Sequence, residues 1–563
     1  ASSSYEARTG HPYSSTTMRL SETLSRSGFL RAAAGAAAAV GLLPRGAAAA
    51  TDAPAAELLT VSSGRRFAGD RRLLATVSHG SWQRRAASLR FRLDRPAQVH
   101  VAAVRKNKTS ERVIWETRAK LPAGPHRFRW QPAPTVAPGT YVLRLTLESN
   151  GRRRIYGAKR PFQAARSRAA VVRVLGVEAA FVARSYAPAT AARLRVAVDA
   201  ESFSVQLFRA GPEAENTNRV DEMKGVPVSA PMTVNWAGKR DATHTLWLKL
   251  GDWPTGLYFA KLVTNDGRTG FAPVIVRPSA ASTSRVAVVL PTYTWQAYNF
   301  TDADGDGWGD TWYAGGSPPV VLDRPFLLRG VPPYYRRYDL PFLRWLHATG
   351  RTPDYLSEED VEAFGSGDAL AARYDLIVYP GHTEYVTQAE FDVVERYRDL
   401  GGNLIFLSAN NFFWKVERRG REIRRVKLWR ELGRPEARLL GAQYRANDNG
   451  RRQGSFVVQG ADAAPWAFAG TGLGNGSLLG VEVGGYGIEI DATTPDSPPD
   501  VTQVLATIPD LFGPGVSAQM TYYEHASGAK VFSAGVLDFG GSIGWCPPAR
   551  QLLENVWNRL ATP

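Results

Sequence analysis

Three apolar runs, at residues 285–290, 375–379 and 403–407, constrain the fold of this chain most. Each is rich in Val, Ile and Leu without polar alternation, the pattern of strands buried on both faces of a parallel sheet. Helical patterns separate them at 339–349, 357–364 and 388–400, the last closed by Gly401-Gly402. Strand and helix in alternation imply an open α/β domain, which a strand at 531–537 and an amphipathic helix at 549–560 complete, giving a domain at 285–563. Such sheets place ligands beyond the carboxyl ends of their strands. Tyr379-Pro380-Gly381 stops the second run at that end, so His382 and Glu384 fall in the loop beyond it. Ser408-Ala409-Asn410-Asn411 follows the third run in the same way. Read locally, the first loop serves equally well as a polar cap for the helix after it.

At 563 residues the chain is too long for one core, and the pattern changes upstream. Short alternating runs at 87–93, 98–104, 113–117, 126–130, 140–147 and 154–156 predict an immunoglobulin-like β-sandwich over 58–165. Runs at 192–198, 204–209, 245–248 and 257–264 predict a second β-sandwich over 169–278, with a small polar linker at 279–284. Residues 1–50 read as an export signal: a basic stretch, an apolar run at 32–43, then Ala47 to Ala50 as a small-residue cleavage site. That run is shorter than the roughly 20 residues a membrane span needs, so no integral membrane protein is expected. Ser25-Arg26-Ser27-Gly28-Phe29-Leu30-Arg31 resembles a twin-arginine signal with Ser27 in place of the second arginine.

Composition narrows the chemistry. The 69 Lys and Arg exceed the 52 Asp and Glu, giving a formal charge of +17, but the basic residues are scattered and no nucleic-acid-binding signature accompanies them. The single cysteine, Cys546, excludes a disulfide framework and cysteine-rich metal sites. It precedes Pro547-Pro548, far from a strand-to-helix turn, which argues against a Cys–His hydrolase. No Gly-x-Ser-x-Gly elbow follows a strand either. With eight histidines, a metal site must rely on oxygen donors, favouring a hard ion such as calcium or ferric iron. The segment 302–310 places Asp302, Asp304, Asp306 and Asp310 at calcium-loop positions 1, 3, 5 and 9 with glycine at the sixth, although Tyr313 stands where the loop's glutamate belongs. A calcium ion and an unoccupied solvated acidic loop are the two readings.

Gly381-His382-Thr383-Glu384-Tyr385, Gly401-Gly402-Asn403 and Asn410-Asn411-Phe412-Phe413-Trp414-Lys415-Val416 together resemble the large subunit of the N,N-dimethylformamidase family. Thr294-Trp295-Gln296-Ala297-Tyr298-Asn299, Trp253-Pro254-Thr255-Gly256-Leu257-Tyr258 and Tyr522-Tyr523-Glu524 extend the resemblance, in the family's order, over roughly 250–560. It implies a glutamine-amidotransferase-like α/β domain holding one iron, ferric in character, on two tyrosines and a glutamate. The matching residues are Tyr258, Tyr298 and Glu384. For Tyr258 the competing expectation is packing, the common role of a tyrosine there in a sandwich. The resemblance further implies amide hydrolysis by Lewis-acid activation of carbonyl and water, with His382 as proton shuttle, Asn410 orienting substrate or oxyanion, and Glu524 as general base and acid. His382 and Asn410 are open to a second reading, as braces of the loop.

The function expected is therefore an exported, iron-dependent amidohydrolase acting on a small amide or a larger exported substrate. The competing expectation is a non-catalytic cell-surface or carbohydrate-associated binding protein that keeps the fold. A homo-oligomer is compatible with both.

Overall fold

The three apolar runs become the strands Val286–Leu290, Leu376–Tyr379 and Asn403–Phe406, at the centre of a nine-stranded mixed sheet. This computed structural model describes residues 53–561, apart from 81, 83–84, 107–110, 158–168, 315–316 and 500. The export segment expected at 1–50 lies outside the described residues. Across the sheet the order is Asp354–Ser357, Val286–Leu290, Leu376–Tyr379, Asn403–Phe406, Lys530–Ser533, Ala518–Glu524, Gln503–Ile508, Phe456–Val458 and Leu478–Leu479. The first five strands pair in parallel and the remaining pairings are antiparallel. The central three are buried along nearly their whole length, as their unbroken apolarity requires.

Three of the connecting helices follow the sequence pattern, and Gly367–Arg373 is a fourth that it does not predict. Leu340–Ala348 leads to Asp354–Ser357; Glu358–Ala363 and Gly367–Arg373 lead to Leu376–Tyr379; Gln388–Asp399 leads to Asn403–Phe406. Ser357 opens its helix with a capping box shared with Asp360, and Thr387 caps the next through its hydroxyl. From Val286–Leu290 the chain first builds outward on one side and then crosses to Leu376–Tyr379 on the other. The strand order therefore reverses between these two, and a crevice forms beyond their carboxyl ends.

Upstream, the molecule is mostly β. Residues 56–175 form a three-stranded and a six-stranded sheet around one apolar core, and residues 178–276 form a second such pair around another. The strand Ala170–Leu175, which the sequence places in the second β-region, instead pairs with Leu74–Ser78 and Gly139–Ser149 of the first. Leu257, Phe259, Phe271 and Ile275 from the second region enter the same core cluster as Leu343, Trp345 and the central sheet. No helix among the described residues is long and apolar enough to cross a membrane.

Candidate functional site

Two of the loops that leave the carboxyl ends of the central strands meet at the reversal. Pro291 ends Val286–Leu290 and starts the short buried helix Thr292–Ala297, which delivers Tyr298 at its C-terminus. Beyond Leu376–Tyr379 the chain turns at Gly381, where an added Cβ would lie 2.6 Å from Asp339 Oδ1 and 2.9 Å from Pro291. That close approach selects glycine and sets the direction of His382 and Glu384.

The loop is fixed from both sides. The Thr294 hydroxyl accepts from the Glu384 amide at 3.1 Å, and the Asn411 carboxamide accepts from the Thr383 amide at 3.0 Å. The Glu384 carbonyl accepts from the Phe413 and Trp414 amides at 3.1 and 2.9 Å. His382 and Glu384 thus belong to a rigid loop, and the helix that follows is capped by Thr387, which removes the reading of this loop as a cap.

The side chains converge. The Tyr298 hydroxyl donates to Glu384 Oε2, and its ring packs edge-on against His382 and Tyr385. His382 Nε2 lies 3.8 Å from Glu384 Oε2 and 3.3 Å from Glu489 Oε2, yet makes no hydrogen bond. Glu489 comes from the strand Glu489–Ala492. Its carboxylate accepts from Asn410 Nδ2 at 2.8 Å and from Asn447 Nδ2 at 2.7 Å. Asp491, two residues on, accepts from the Asn410 amide at 2.9 Å. Asn410 sits at φ 57°, which asparagine tolerates, whereas Ile488 is held at φ 70°, a conformation that β-branched side chains resist. Strain beside Glu489 is the kind that surrounding structure maintains at functional positions.

The electrostatics are those of crowded, dry acids. Burial and then the Glu489 charge push the Glu384 carboxyl up to about 8; burial alone is the leading cause for Asp491, also up to about 8. Burial raises the Tyr298 phenol and lowers the His382 imidazole, which is therefore neutral near pH 7. His382 bonds the Asn410 backbone through its ring, leaving Nε2 as an unpaired acceptor opposite the Glu489 carboxylate. The Asn410 Oδ1 atom is likewise buried without a partner. A small pocket of about 30 Å³ opens here, lined by Tyr298, His382, Glu489, Ile488, Tyr338 and Asp339 among others. Crowded hard oxygen donors, with Arg425 as a positive neighbour of Glu384 and Tyr385 and with two orphaned polar atoms beside them, suit a bound cation.

Tyr258 and Glu524 do not join this cluster. The Tyr258 hydroxyl donates to the Pro254 carbonyl at 2.7 Å, its ring stacks on Trp253, and it lies in the core of the second β-region. That is the packing role, a phenol closing its own turn. Glu524 pairs across the sheet with Lys530, the first residue of its strand, so it lies at the edge where the parallel strands begin. The candidate site lies at the opposite edge, a strand length of roughly 13 Å away. The Glu524 side chain is half exposed, bonded to Tyr522 and Arg559. Sequence reasoning missed Glu489, Asp491 and Tyr385; a usable signal was Glu489-Ile490-Asp491, carboxylates in alternation on a fully buried strand.

The acidic loop is formed and packed. Oxygens of Asp302, Asp304 and Asp310 lie within 4.8 Å of one another, whereas Asp306 turns to accept from the Trp308 amide. Asp302 accepts from the amides of Gly305 and Gly307, and Gly307 sits tightly against Val142 of the first sandwich. Arg324, buried, donates to the carbonyls of Gln296, Asn299, Thr301 and Asp310, joining this loop to the Tyr298 turn.

Fold and site together define a multi-sheet protein with an acidic, tyrosine-lined pocket at the strand-order reversal of an open mixed sheet. The family described as N,N-dimethylformamidase beta subunit-like, C-terminal, matches residues 205–551, and the chain belongs to it. The N,N-dimethylformamidase beta subunits of Paracoccus aminophilus and an Alcaligenes species are each 26% identical to it over 304 residues, covering 44% of this chain. The match spans 40% of each relative's length. A crystal structure of Salmonella alpha-2-macroglobulin reacted with methylamine aligns with 9% identity and a TM-score of 0.23, covering 40% of this chain and 17% of that one; so low a score carries no argument.

Proposed function

We propose that this protein hydrolyses a C–N amide bond with the help of a hard metal ion, ferric iron by the character of its donors, held at Tyr298 and Glu384. The observation that carries this reading is the Tyr298–Glu384 contact inside a dry cluster with His382 and Glu489, in a chain of this family. Tyr385, which stands against the same carboxyl, and Glu489 are the nearest additional oxygen donors. Such an ion, when bound, would supply Lewis acidity toward an amide carbonyl and a water molecule. The protein's own groups do the rest. Glu489, fixed by two asparagine carboxamides, and the neutral His382 Nε2 face each other as acceptors that take a proton from water and return it to the departing amine. Asn410 holds Glu489 in place and offers its carboxamide to the reacting group. Burial excludes bulk water, which strengthens each of these interactions. Within the same reading, the β-regions are immunoglobulin-like accessory modules, the central sheet is glutamine-amidotransferase-like, and the chain is exported.

The test is elemental analysis and an absorption spectrum of purified protein, alongside hydrolysis of small formamides and acetamides. Iron near one per chain, a phenolate-to-iron band and amine release are expected, all lost in Tyr298→Phe and Glu384→Gln. Full hydrolysis by metal-free protein would remove the metal from the mechanism; bound iron without any hydrolysis would favour a binding protein.

A further inference from the structure

A second, much larger space adjoins the small pocket. It is a cleft of about 1780 Å³ between the first β-sandwich, the segment following Tyr298 and the C-terminal helix region. Ligand pockets for small molecules run to roughly 300–1,000 Å³, so this cleft is oversized for a simple amide. Tyr298, Pro333 and Tyr334 line both spaces, which makes the small pocket the inner end of the cleft.

The lining has one sign of charge. Six arginines reach it, Arg105, Arg112, Arg336, Arg337, Arg344 and Arg550, against a single carboxylate, Asp538, which Arg337 already engages at 3.0 Å. The others are little committed. Arg344 donates to the Asn216 carboxamide and also faces the Glu213 carboxyl behind the lining, whereas Arg550 donates to backbone carbonyls. Arg112 and Arg336 are exposed and make no side-chain hydrogen bond or ion pair among the described residues. Beside them Trp545 is 71% exposed and Tyr334 44% exposed, apolar faces on a wall that is otherwise cationic. A cleft of one charge between low-dielectric walls concentrates anions of the opposite sign, and guanidinium groups bind carboxylates in paired geometry.

We propose that this cleft binds acidic, peptide-like oligomers, and that an amide of such a chain is what reaches the Tyr298 pocket. The proposal rests on the amidohydrolase reading for its catalytic half. It deepens that reading by naming a substrate that carries amide and carboxylate in every repeat, the two groups that the inner pocket and the cleft accept. Single-stranded nucleic acid satisfies the arginines with phosphates but carries no backbone amide to the inner end.

The experiment is a binding titration of hexaglutamate, hexaglutamine and a six-nucleotide single-stranded DNA against the Glu384→Gln full-length chain, where no turnover occurs. Hexaglutamate is expected to bind, to weaken as salt rises from 50 to about 300 mM, and to weaken about tenfold in a further Arg112→Glu or Arg336→Glu background. Arg129→Glu, the same change on an exposed strand outside the cleft, is expected to leave binding intact. Both cleft variants are exposed, and an unchanged melting temperature checks their folding. Equal binding of hexaglutamine, equal or tighter binding of the DNA, or indifference to Arg112→Glu and Arg336→Glu overturns the proposal. The two readings fail separately. Iron-free, inactive wild type that still binds hexaglutamate keeps the cleft and loses the amidase; active enzyme that ignores hexaglutamate keeps the amidase and loses the cleft.

Discussion

Tyr258 is fully buried and Tyr298 partly so, and their hydroxyls have different partners, a carbonyl in one case and a carboxyl in the other. Tyr258→Phe removes one neutral hydrogen bond and is expected to lower stability by about 1 kcal/mol while iron content stays at the wild-type value. Tyr298→Phe removes a donor from a buried carboxyl and is expected to abolish iron binding. Paired metal analysis and chemical denaturation of the two variants separate a packing tyrosine from a ligand, and loss of iron in Tyr258→Phe would restore it as a ligand. Glu524→Ala, at the far edge of the sheet, is expected to keep wild-type amide hydrolysis. These contrasts mark what the sequence could convey about the site. His382, Glu384 and Asn410 were legible because each directly follows an apolar strand, where topology alone fixes the end of the sheet. Tyr258 and Glu524 were not, since residue spacing says nothing about which edge of a sheet an antiparallel partner reaches. Glu489 arrives on a strand, Glu489–Ala492, whose glycine-rich approach from Gly484 carries no periodicity.

The elements that frame the site carry their own costs. Arg324 satisfies four carbonyls, two of them fully buried, around the turn that presents Tyr298, although burial lowers its pKa to about 10. Arg324→Lys keeps the charge but cannot match that fork. It is expected to lower stability by roughly 3 kcal/mol and to reduce iron content, read by thermal melting and metal analysis. Behind the sheet, Glu390 in the first turn of Gln388–Asp399 is buried near Glu358, with one carboxyl oxygen unpartnered. Burial first, then the Glu358 charge, raises its pKa well above the usual carboxylate range. A raised pKa means that the folded state holds the proton longer. Its stabilising contribution is complete below the unfolded value near 4.3 and is lost as pH rises through the folded value. Stability is therefore expected to fall as pH rises above the unfolded value, and Glu390→Gln to flatten that slope, which acid-to-neutral denaturation series of the two proteins would read. A slope unchanged in the variant would place the titration elsewhere. These strands and helices were readable from periodicity. Ala170–Leu175 was misassigned because an apolar run announces a strand and not its partners, and here it pairs backward across the break between the two β-regions.

At the scale of the whole molecule, the question is which parts fold together. The first sandwich keeps its own core, centred on residues such as Leu89, Val101 and Leu145, and meets the rest through a small apolar patch, Phe67 and Leu175 against Ala197, and through polar contacts. Ser78 donates to Asp199 at 2.9 Å, and Arg268 reaches Asp199 at 2.7 Å. The second region is different: Leu257, Phe259, Phe271 and Ile275 share a single core with the central sheet and with the helix Leu340–Ala348. The family match begins at residue 205, inside that second region, which is where a unit defined by the shared core would begin. A chain starting at residue 177 is therefore expected to melt cooperatively and retain iron. It is also expected to lose the arginines at 105 and 112 and with them part of the hexaglutamate affinity. A chain starting at residue 285 uncovers the apolar face that Phe259 and Phe271 bury, several side chains at about 2 kcal/mol each, against a total stability of about 5–15 kcal/mol. It is expected to be insoluble or to show no cooperative transition. A sharp melt from the shorter chain would mean that the second region is an attachment, and that the Tyr298 pocket is built by the central sheet and its loops alone.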